Sequence, residues 1–169
     1  MGTTDFRMER NTMIFRRRFP AARAVLWEAW TDPAQLKQWF APTAAVNVET
    51  ALDVRVGGGW RVVSELDGAR YPLTGLYQEV APDTRLVFSM DVSEHPDAWH
   101  AQLDALRDTP SGARAGTMVT TMTLVEADND TVMTVSERFD ESSDRDAHYH
   151  MGRPREWGER FDRLELLLR

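Results

Sequence analysis

The chain has 169 residues, 42% hydrophobic and 28% charged, a length and balance that fit one soluble domain over 1–169. Its formal charge of −7 works against nonspecific binding to nucleic acid or to an anionic membrane surface. It contains no cysteine, which excludes disulfides, thiolate zinc sites and thiol nucleophiles, and a cytoplasmic setting is expected.

No apolar run approaches the roughly 20 residues of a membrane span. Residues 1–11 mix acid and base without an apolar segment and read as a flexible lead-in rather than a signal peptide. From Thr12 to Phe19 the side chains alternate, with Met13, Phe15, Arg17 and Phe19 on one side, which predicts a strand with one wet face. Pro20 ends it. Val25, Leu26, Ala29 and Trp30 then recur at helical spacing, and Asp32-Pro33 gives a cap and first turn for a second short helix carrying Leu36, Trp39 and Phe40.

Ala45–Ala51 is a short strand, followed by Gly57-Gly58-Gly59. A phosphate-cradling loop would need a following helix and usually a lysine; neither is present, so the triplet reads as a structural turn. Trp60–Leu66 and Arg70–Val80 flank Asp67-Gly68, a hairpin signal. Thr84–Val92 is the next strand, and Ala115–Glu126 and Thr131–Phe139 form a last hairpin, for seven strands in an antiparallel meander. Glu94–Asp108 interrupts them with Trp99, Leu103 and Leu106 at helical spacing. Finally, Trp157, Phe161, Leu164 and Leu168 form one stripe of a C-terminal helix, with Arg160, Arg163 and Glu165 read as pointing elsewhere.

This order, together with Val25–Pro33, Trp39-Phe40-Ala41-Pro42, Asp53–Arg61, Gly75–Val80 and Leu164–Leu168, resembles the START-like SRPBCC superfamily, in the branch named after the activator of heat-shock-protein-90 ATPase. The resemblance implies an α+β helix-grip fold, a curved antiparallel sheet wrapped around the long C-terminal helix with a cavity between them. It does not imply one activity, since the superfamily includes lipid and hormone binders, cyclases and chaperone activators. Two departures, the order Trp157-Gly158 after Pro154 and the 94–108 insert, fall where a ligand would enter.

The cavity wall expected from inward strand positions and the helix comprises Trp39, Phe40, Trp60, Tyr77, Phe88, Met90, Met118, Met122, Met133, Trp157 and Phe161, with Trp99 on the insert as a rim. These residues would bind a small apolar molecule, or simply fill a solid core. Polar candidates for chemistry are Glu137, Arg138 and His148, the groups a polyketide cyclase or dehydratase type of enzyme would use; they form no recognisable triad or carboxylate pair. The spacings His95/His100 and His148/His150 do not complete a metal site, and no cofactor is expected. The insert's apolar stripe also raises a homodimer, and the resemblance raises a chaperone contact.

Overall fold

A computed structural model describes residues 1–169. The alternating run Thr12–Phe19 forms β2, with Met13, Phe15, Arg17 and Phe19 buried as the periodicity requires. In place of the expected lead-in, Asp5–Glu9 form β1, antiparallel to β2 with Phe6 opposite Phe15. All five of its residues are exposed, so no burial pattern marked it in the sequence. The Phe6 ring stacks on Phe15 at 5.2 Å, and the Gly2 amide donates to Glu165 Oε2 at 2.8 Å, which ties this end of the chain to the C-terminal helix.

Two short helices follow, α1 (Arg23–Thr31) and α2 (Pro33–Trp39). Asp32 starts the second by accepting the Ala34 amide at 3.2 Å, with Pro33 in the first turn. Then come β3 (Val46–Leu52), β4 (Gly59–Leu66), β5 (Ala69–Ala81) and β6 (Arg85–Asp91). Helix α3 (Asp97–Ala105) interrupts the meander before β7 (Thr117–Ala127) and β8 (Asp130–Arg138). The result is one antiparallel sheet of eight strands, not seven, in the order β1-β2-β8-β7-β6-β5-β4-β3. The glycine triplet is a turn: Gly57 has φ +82°, and a Cβ on Gly58 would lie 2.0 Å from the Asp53 carbonyl oxygen.

Ser142–His150 form a further helix, α4, which the sequence reading did not anticipate because it carries few apolar residues. Gly152, at φ +99°, reverses the chain into α5 (Arg153–Leu167). The sheet closes on α5 through Trp157, Phe161 and Leu164, none of which retains exposed surface. This is the helix-grip arrangement.

The grip is broader than one apolar stripe. Arg160 and Glu165, read from the sequence as pointing away, are both buried. Arg17 on β2 meets α5 by ion pairs to Asp162 at 2.7 Å and Glu165 at 3.3 Å. On the other side of α5, Arg163 Nη1 donates to the carbonyls of Ala41, Pro42 and Ala45, fixing the segment that leads into β3. Helix α3 is anchored to α4 by Arg107, which donates to Asp144 at 2.8 Å and to Asp104 at 2.7 Å. Leu103 of the insert is fully buried within its own chain and Trp99 half-buried, while Leu106 stays exposed, so the stripe that raised a dimer is covered internally only in part.

Candidate functional site

The expected apolar wall is a packed interior. Trp39, Met90, Met122, Met133, Trp157 and Phe161 have no exposed surface, and Phe40, Trp60, Tyr77, Phe88 and Met118 retain 5% or less. Their rings pack edge-to-face: Trp30 on Trp39 at 4.8 Å, Trp60 on Phe88 at 5.3 Å, Phe40 on Trp157 at 5.7 Å. The gap left among Phe40, Trp60, Tyr77 and Phe88 is about 10 Å³, room for one water at most. The Trp60 indole donates to the Ser89 carbonyl at 2.9 Å, and that of Trp39 to the Ala29 carbonyl at 2.9 Å, so both polar edges are satisfied. No ligand fits there without displacing these side chains.

The cavity lies instead at the N-terminal end of α5 and measures about 250 Å³, just under the roughly 300–1,000 Å³ usual for small-molecule sites. The β4–β5 hairpin supplies one wall, with Ser64, Leu66, Tyr71 and Leu73. The insert supplies His95, Trp99 and Gln102, α4 and its turn supply His148 and Met151, and Pro42 and Ala45 close the rim. From α5 come Arg153, Glu156 and Arg160, on the helix face adjoining the Trp157/Phe161 stripe.

Of the twelve residues expected to bind, only Trp99 lines this space, and of the three polar candidates only His148 does. Arg138 faces solvent at the end of β8. Glu137 is fully buried behind the wall and fully engaged: Arg153 donates to both its oxygens, at 2.8 and 2.6 Å, and the Trp157 indole donates to Oε1 at 2.9 Å. Burial by itself would raise the Glu137 carboxyl, but the charge and hydrogen bonds of Arg153 hold it below the ordinary carboxylate range. Its partner responds the opposite way: burial works against the charged Arg153, yet Glu137 and Glu156 raise it above the usual guanidinium value.

His95 and His148 both pack against Trp99, with ring centroids 4.6 and 5.8 Å from the indole. Burial first, and then the positive charge of Arg153, push each down to about 3, so both imidazoles are neutral at physiological pH. His95 Nδ1 is buried without a hydrogen-bond partner. His100 is structural, its Nδ1 accepting the Ala115 amide at 3.0 Å, and His150 is exposed. The four histidines therefore do not converge on a metal.

Arg160 is the group the sequence did not signal. It is 4% exposed, yet its Nε and Nη1 have no hydrogen-bond partner. The guanidinium sits over the Phe40 and Trp157 rings, 4.8 and 4.7 Å from their centroids, in the corner that these two nearly perpendicular rings make. Such contacts return about 1–2 kcal/mol, whereas desolvating an ion costs several kcal/mol. Burial therefore lowers its affinity for the proton to a value of about 10, with the like charge of Arg153 adding to the effect. Stability alone does not explain this residue.

A curved antiparallel sheet gripping a C-terminal helix, with a side cavity at the mouth of the grip, defines a START-like domain. The chain belongs to the family described as activator of Hsp90 ATPase homolog 1-like protein, matched over residues 20–169. No curated protein matches it. Among solved structures it is similar to a protein of Rhodobacter sphaeroides, with 21% identity, a TM-score of 0.79, and 98% of this chain and 97% of that one covered. A protein of Nitrosomonas europaea shares 23% identity at a TM-score of 0.76, covering 93% of each chain. A third, from Mycobacterium smegmatis, has 18% identity and a TM-score of 0.76, covering 99% and 98%. At these identities the likeness is one of fold. No helix is long and apolar enough to cross a membrane.

Proposed function

We propose that this protein binds a small molecule in the cavity bounded by the β4–β5 hairpin, α3, α4 and α5. The observation that supports this reading best is the contrast between that cavity and the interior beside it. The interior is filled, while the cavity is open and walled by Trp99, Tyr71, Leu73 and Met151, together with neutral imidazoles and a buried arginine. An apolar body with polar groups at one end matches such a lining better than the purely apolar molecule first expected. Binding is favoured over catalysis because Glu137, the most deeply buried carboxylate, has both oxygens occupied by Arg153.

Native mass spectrometry of the protein purified from its own host tests the reading. The expected result is an additional small mass that is lost in Ser64→Trp, where the larger side chain on the cavity wall fills the space, and is retained in Arg138→Ala, which lies outside the cavity. A host preparation with no retained mass, combined with no small-molecule hit that perturbs Trp99 in a fragment screen, would reject it. The family description supports a second reading, a contact with a chaperone ATPase. Unchanged ATPase turnover of the host's chaperone on adding the protein would remove that one.

A further inference from the structure

Three features of the cavity wall bear on what it can take. Arg153 is saturated by Glu137 and also pairs with Glu156 at 3.3 Å. Arg160, seven residues further along the same face of α5, has no acceptor within hydrogen-bond reach of Nε or Nη1. The remaining polar wall, His95, His148 and Gln102, carries no charge to neutralise it. A positively charged, planar guanidinium thus lies over two rings at the wall of a space lined by further aromatic side chains, with its Nε and Nη1 buried and unpartnered. Planar forks of this kind match carboxylate geometry.

We propose that the molecule taken into this cavity is a small monocarboxylate with a planar apolar body, and that Arg160 receives its carboxylate; the proposal rests on the reading of the cavity as a small-molecule site. The size sets the class. About 250 Å³ corresponds to roughly eight waters, which suits a single ring bearing one carboxyl group and excludes a long-chain lipid. The body lies along the aromatic surface that Trp99 and Tyr71 contribute to the wall. One negative charge is favoured over two, because of the two arginines on the wall only Arg160 lacks an acceptor, and Glu156 beside it opposes each added negative charge.

The test is an NMR titration of the full chain with benzoate, benzamide and phenyl phosphate, following the Trp99 indole and the Arg160 Nε–H signals. Benzoate is expected to bind at least ~10-fold tighter than its neutral isostere benzamide, because a charge-assisted bond is replaced by a neutral one, and to shift the Arg160 signal. In Arg160→Met the preference disappears while benzamide still binds, and Arg160→Lys retains part of it. Thermal denaturation of both variants reports whether they fold, and the benzoate–benzamide comparison in the unaltered protein stands without them. Equal affinity for benzoate and benzamide, tighter binding of phenyl phosphate, or a preference that survives Arg160→Met in a folded variant overturns the proposal while leaving the cavity a binding site. Failure of all three probes to perturb Trp99 overturns both.

Discussion

Two faces of α5 lie side by side and have opposite characters. Trp157, Phe161 and Leu164 are fully buried in a continuous aromatic and aliphatic core, whereas Arg153, Glu156 and Arg160 border a cavity. The first face holds the grip closed through apolar burial. The second places charge where burial is costly, and only part of that charge is compensated. The lesson is that the packed face carries the fold and the neighbouring charged face borders the proposed site.

Substitutions separate the two. On the packed face, Phe161→Ala should destabilise the protein by about 3–5 kcal/mol, read by denaturant unfolding, through loss of contacts with Phe19 and Trp157. At the junction of the faces, Glu137→Ala should cost about 3–5 kcal/mol because Arg153 is left buried and unpaired. The double replacement Glu137→Met with Arg153→Met should recover much of that loss. If the double variant is no more stable than Glu137→Ala, the pair is not the source of the effect.

The pH response should be large and one-sided. His95 and His148 titrate near 6.5 in the unfolded chain but are held at about 3 when folded. The unfolded state therefore binds more protons between those limits, and stability falls progressively as pH drops from about 6.5 towards 3. Glu137, also held low, acts in the same direction at the acid end. Replacing both histidines by Gln should flatten the upper part of this dependence, measured as thermal midpoint against pH.

On the cavity face the effects on stability should be small. Arg160→Met is expected to leave stability unchanged or raise it, since an incompletely compensated buried charge is removed. A loss of several kcal/mol would instead make Arg160 a structural element of the core and erase the contrast between the faces. Smallest of all, Arg138→Ala, exposed at the end of β8, should alter stability by less than about 0.5 kcal/mol.

Much of the fold was legible from local pattern. The alternation of Met13, Phe15 and Phe19, the Asp32-Pro33 helix start, the Asp67-Gly68 hairpin and the Trp157/Phe161/Leu164 stripe each stand in the structure as the periodicity required. Elements without an apolar pattern were not: β1 is exposed along its whole length, and α4 buries only Ala147 and His148. Both form because neighbours supply partners, β2 for one and α3 and α5 for the other.

The site was less legible, for a related reason. Large apolar residues mark where water is excluded, and in this chain most of those named fill the interior rather than border a space. The sequence by itself determined the element order, the strand faces and the helix that the sheet grips, because these follow from periodicities of two and 3.6 residues. Only the tertiary structure decided that Arg153 and Arg160 turn inward. Their burial depends on Glu137 from a distant strand and on the rings of Phe40 and Trp157. No local pattern can place a charge in the interior, because its cost is met by partners far away in the chain.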